Sequence, residues 1–74
     1  MILTIQPDLY RIVYPKFVFQ AYKKGHLIVI EKGMNGKYEK IYARTEMEFL
    51  SHLLDFHVQR LKFLVDELLS LIHI

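Results

Sequence analysis

The residues able to do chemistry in this chain are few, and their spacing decides what each can do. Only two serines could serve as nucleophiles, since there is no cysteine. Ser51 and Ser70 both fall in sequence with helical character and not on a strained strand-to-helix turn, so they read as ordinary helix serines. Gly33-Met34-Asn35-Gly36-Lys37 fits neither the Walker nor the dinucleotide spacing and opens no helix, so it reads as a β-turn. Glu48, His52 and Asp55 follow one another at steps of four and three, which puts them on one helix face within reach of a common ion. Such a stripe more often pairs side chain with side chain, so no metal and no cofactor are expected. No acid, base and nucleophile come together as a set, and the expectation is a protein that is not an enzyme.

A different chemistry is written in the basic residues. Lys23, Lys24 and Lys32 fall at strand ends and hairpin tips, and Tyr38, Lys40 and Tyr42 alternate onto one face of a strand close to Arg44. Lysine interleaved with tyrosine suits phosphate contacts and base stacking, so a nucleic acid is one candidate partner. The same surface suits an acidic protein, and the short chain without pocket-forming loops favours that reading. Lysines at hairpin tips and on an edge strand also act simply against aggregation. No RNA-recognition, KH or zinc-finger signature is present.

The elements that position these groups differ between the two halves of the 74 residues. Residues 1–44 carry eight Lys or Arg against Asp8, Glu31 and Glu39, a net of +5, whereas residues 45–74 carry two against five acidic side chains, a net of −3. The total of +2 therefore hides a basic half joined to an acidic one. Phe17 to Tyr22, His26 to Glu31 and Tyr38 to Ala43 are β-branched and aromatic, with turns at Lys23-Lys24-Gly25 and Gly33-Met34-Asn35-Gly36. A three-stranded antiparallel meander over 17–43 follows. Pro7 and Pro15 bracket Asp8 to Tyr14, which could be a short helix or an edge strand alternating Tyr10, Ile12 and Tyr14; residues 1–16 are expected to be extended or irregular and to pack across the sheet. Thr45-Glu46-Met47-Glu48 fits a capping box, and no Gly or Pro interrupts the sequence after it, so one long C-terminal helix is expected over 45–72. The fold class is α+β, in a single domain.

The helix carries more apolar surface than one sheet can cover. Met47, Leu50, Leu54, His57, Leu61, Leu64, Leu68 and Leu71 recur at alternating steps of three and four, a heptad seam with His57 as its polar member. Phe49, Leu53, Phe56 and Phe63 form a second stripe interrupted by Arg60, and Val58, Val65, Leu69 and Ile72 a third. Only Glu48, His52, Asp55, Gln59, Lys62 and Asp66 form a wet line. A helix on one sheet needs an apolar stripe a little over 100° wide. The remaining face is expected to meet a second copy, giving a homodimer with Leu50, Leu54, His57, Leu61, Leu64 and Leu68 in its interface. The alternative is that Ile2, Leu3, Ile5, Leu9 and Ile12 cover that face within one chain. Two His57 imidazoles across the dimer axis could fix register, and protonating both would weaken the pair near the ordinary histidine pKa of about 6.5.

Composition excludes disorder, no apolar run reaches the roughly 18 residues of a membrane span, and the N-terminus lacks the basic and apolar regions of a signal peptide. No membrane partner and a cytoplasmic location are expected.

The succession Phe17 to Tyr22, Lys24-Gly25-His26, Leu27 to Lys32, Gly33, Tyr38 to Ala43 and one long terminal helix resembles a small family of Bacillus prophage proteins, the YopT-like family, unrelated to the secreted bacterial protease that shares the name. The resemblance lies in size, element order and general character over most of the chain. It implies a three-strand, one-helix homodimer of phage origin with a host-directed regulatory role through protein or nucleic-acid binding. It implies no site residues.

Overall fold

The computed structural model describes residues 2–72, which form five strands and one helix: β1 Ile2–Gln6, β2 Leu9–Tyr14, β3 Phe17–Lys24, β4 Leu27–Met34, β5 Lys37–Ala43 and α1 Glu46–Ile72. The strands pair antiparallel in chain order, so the sheet is a five-stranded meander. The expected three-stranded meander is corrected by two further strands, and residues 2–14 are neither irregular nor laid across the sheet. They extend it. The prolines are the physical reason: Pro7-Asp8 and Pro15-Lys16 are the corners of two-residue hairpins, where a missing N–H and a fixed φ are no obstacle, and Lys16 takes φ 67° to close its turn. Asn35 and Gly36 both have positive φ, 50° and 89°, the backbone pattern that closes a two-residue hairpin with the sheet's own twist. The Asn35 N–H donates to the Lys16 carbonyl at 2.8 Å, joining two turns at one end of the sheet. Lys23 and Lys24 belong to β3, and the turn after them is Gly25-His26.

At the start of α1 the Thr45 Oγ1 accepts the Glu48 N–H at 3.1 Å. The Glu48 carboxylate accepts the N–H of Arg44, at 2.9 Å, one residue before the expected cap amide. The capping box thus satisfies donors on both sides of Thr45 and anchors the helix where the sheet ends.

The helix packs on one face of the sheet through its phenylalanine stripe. Phe56 is fully buried, with its ring centroid 5.3 Å from Phe19 and 6.3 Å from Phe17; Phe49 meets Phe19 and Tyr10, and Phe63 meets Phe17. Ala21, Ile30 and Ala43 complete the core. Arg60, which interrupts the stripe, lies over the Tyr14 ring with its Cζ 3.5 Å from the centroid, so the guanidinium continues the packing by cation–π contact. The helix backbone runs over β3, β4 and β5; it reaches β2 through the rings of Tyr10 and Tyr14.

Candidate interaction surfaces

Two large faces stand uncovered among the described residues, and each follows from a period in the sequence. The first is the outer side of α1. With Phe49, Leu53, Phe56, Arg60 and Phe63 turned to the sheet, the heptad seam turns away from it: Leu54 is 65%, Leu61 56% and Leu68 59% exposed, and Met47, Leu50, Leu64 and Leu71 are exposed as well. His57 is half-buried, its ring against Phe56. The N-terminal strands do not cover this seam, because their residues are committed to the sheet. At 27 residues the helix is also about 40 Å long and outruns the strands. Beyond Phe63 every described residue of it is exposed.

The second face is the side of the sheet opposite α1. Cross-strand partners share a face, so the register assembles it in rows: Leu9, Tyr22, Val29 and Tyr42; then Arg11, Gln20, Glu31 and Lys40; then Val13, Val18, Gly33 and Tyr38. No helix lies above it among the described residues. Tyr38 and Tyr42 are exposed on the edge strand, and the Lys40 Nζ sits 6.0 Å from the Tyr42 ring centroid. Val29, between Tyr22 and Tyr42 in its row, is nonetheless buried. Glu31 organises the middle row, its Oε1 accepting the Tyr22 hydroxyl at 3.2 Å. The Tyr22 phenol is pushed above its ordinary range, first by desolvation and then by that carboxylate, and Tyr38 shifts the same way for the same two reasons. The Lys40 ammonium is held above its ordinary range by the phenols of Tyr42 and Tyr22.

Of the six residues expected on a basic surface, Lys24, Tyr38, Lys40 and Tyr42 share this open face. Lys23 alternates onto the helix side, where it borders a cleft with Tyr10 and Phe49, and Arg44 lies in the link to α1. Lys32 is not at a hairpin tip. It is 3% exposed in the interior of β4, its Nζ 3.5 Å from Asp55 Oδ2. Sequence reasoning missed Arg11, Gln20 and Tyr22; their signal was the same period-two alternation, carried through β2 and β3.

The candidate metal stripe is taken up elsewhere, with Glu48 capping the helix and Asp55 paired to Lys32. No group of three His, Asp or Glu able to hold a metal ion occurs among the described residues. The Ser51 hydroxyl donates back to the Met47 carbonyl at 3.0 Å, the usual bond of a helix serine. No helix among the described residues is long and apolar enough to cross a membrane.

No family model, curated protein or solved structure matches this chain. Its surfaces alone speak to function.

Proposed function

We propose that this chain is a small, non-enzymatic interaction module that works as a homodimer, pairing through the α1 seam and offering its open sheet faces to an acidic protein. The observation that carries the reading is the division of α1: one apolar stripe is spent on the sheet, and a second, in strict heptad register, is left in solvent. Arg11, Lys24 and Lys40 against Glu31 give the open face a positive balance, and Tyr38 and Tyr42 supply the exposed aromatic anchors that interfaces favour. The resemblance to the YopT-like prophage proteins covers only the last three strands and the helix of the five-stranded fold, and on that part alone we read a phage regulator acting on a host protein in the cytoplasm.

A second reading, binding of single-stranded nucleic acid, is favoured by one feature: Tyr38 and Tyr42 flank Lys40 on the same edge of the open face, two stacking rings about a phosphate-binding cation. Binding to mixed oligonucleotides at about 50 mM salt, where electrostatic contacts are strong, separates the two. No oligonucleotide binding is expected there, and host-protein capture should disappear in Tyr42→Ala and Lys40→Glu but survive in Lys37→Glu on the other face. Oligonucleotide binding lost in the same two variants would reverse the ranking.

A further inference from the structure

The arrangement of charge and exposure around α1 defines how two copies sit together, given the seam pairing proposed above. In heptad notation the seam occupies a (Met47, Leu54, Leu61, Leu68) and d (Leu50, His57, Leu64, Leu71), while the sheet-facing residues fall at c and g. At 100° per residue the order around the helix is f, c, g, d, a, e, b. The f and b side leans toward β4 and β5, where Asp55 pairs with Lys32 of β4 and where Gln59, Lys62 and Asp66 border a cleft with Lys37 and Glu39 of β5. The g side leans toward β2, with Arg60 on Tyr14. Position d therefore points over β2 toward β1. There the sheet's helix-side face carries Leu3, 46% exposed, and Ile5, 70% exposed, with no element above them among the described residues. Leu50 forms one wall of an apolar cleft of about 310 Å³ whose other walls include Leu9, Tyr10 and Ala21.

A groove thus runs beside α1 over β1 and β2, wide enough for one more helix at the usual interaxial distance of 8–10 Å. A second α1 laid in it can be related by a two-fold axis in two ways. An axis perpendicular to the sheet makes the helices antiparallel but places both sheets in one layer, where they collide. An axis along the helices makes them parallel and carries the second sheet to the opposite side. We infer that the chain forms a parallel, three-layer dimer, sheet, helix pair, sheet, in which each α1 covers the bare β1–β2 strip of the other copy. Seam residues then meet their own equivalents, His57 beside His57, and Leu54 and Val58 lie over Leu3 and Ile5 of the second copy. Along the sheet-covered part of the helix every apolar sector has a partner: c and g its own sheet, d and a the second helix, a and e the second sheet. Only b and f face water, and these are the polar positions along the sheet-covered part of the helix. An apolar seam running the length of α1, joined to Leu3 and Ile5, exceeds the few hundred Å² that monomers leave bare and is on the scale of the ~800 Å² per partner that a stable interface buries. The tails from Leu64 pair with each other past both sheets. The two open faces become opposite outer surfaces of the dimer, which can hold two partner molecules at once.

Since the chain has no cysteine, introduced ones report on neighbours without background. In the full chain under mild oxidation, Leu61→Cys is expected to cross-link to itself, and co-expressed Leu3→Cys and Val58→Cys chains to cross-link to each other, while Gln59→Cys gives no cross-link. Cross-linking of co-expressed Leu54→Cys and Leu64→Cys without self-linking of Leu61→Cys would mean an antiparallel pair and overturn the inference, though not the seam dimer. Self-linking of Leu61→Cys with no link between positions 3 and 58 would overturn the three-layer arrangement alone. A monomeric mass by light scattering at micromolar concentration would overturn both readings and assign the seam to a foreign helix.

Discussion

The phenylalanine and leucine stripes of α1 belong to one continuous helix, yet one packs into the core of the monomer and the other is left in solvent. Phe49, Phe56 and Phe63 recur every seven residues and interlock with Phe17, Phe19 and Tyr10, where aromatic rings fill the shallow space over a sheet floored by Ala21 and Ala43. The leucines also recur every seven residues, in two interleaved sets, and among the described residues they are left largely in solvent. The difference teaches that the sheet selected the helix face by shape. A flat floor takes wide rings, and branched leucines suit the holes of another helix.

The sharpest way to break this comparison is to charge the seam. Leu61→Lys is expected to abolish the dimer while leaving the circular-dichroism spectrum of the folded chain intact, because Leu61 is more than half exposed on the helix side turned away from the sheet. Removing a ring from the other stripe should act in the opposite sense. Phe56→Ala is expected to cost about 3–5 kcal/mol in denaturant unfolding, most of the stability a chain this small can hold. If Phe56→Ala changed only the mass and Leu61→Lys only the unfolding midpoint, the assignment of the two stripes would be inverted.

A smaller effect tests the polar flank between the stripes. Asp55→Ala leaves the Lys32 ammonium buried without its carboxylate and is expected to destabilise by about 1–3 kcal/mol, whereas Lys32→Met, which keeps the stem and removes the charge, should stay within about 1 kcal/mol of the parent. Equal losses in urea titrations would show that the ion pair itself carries the stability. Smallest is Glu31→Gln on the open face. The Tyr22 and Tyr38 phenols are raised, so their contribution is complete below about pH 10 and is lost as pH rises through their folded values. The variant keeps the desolvation but not the carboxylate, and ultraviolet titration should show both phenols ionising closer to their ordinary range.

The sequence made the later strands and the helix legible because each carries a clean signal: period two in Phe17 to Ala43, a capping box at Thr45, and no helix breaker after it. It hid β1 and β2 because a proline at each end of a short run reads as an interruption, when each was a hairpin corner. The seam was legible from its 3.5-residue period, and its exposure in the folded chain is what that period required. The open face was only half legible. Tyr38, Lys40 and Tyr42 emerge from one strand's alternation, but Lys23 and Lys24, adjacent in sequence, point to opposite faces of β3. Lys32 looked like surface charge because its long stem, which lets a lysine lie through a core to reach Asp55, leaves no mark in composition.

The central claim is that the leucine seam is an interface between copies of this chain. Its most direct test is the mass of the 74-residue chain in solution by light scattering at micromolar concentration, compared with that of Leu61→Lys. The account predicts twice the 8.9 kDa chain mass for the parent and 8.9 kDa for the variant. A parent that runs at 8.9 kDa across that range would contradict it.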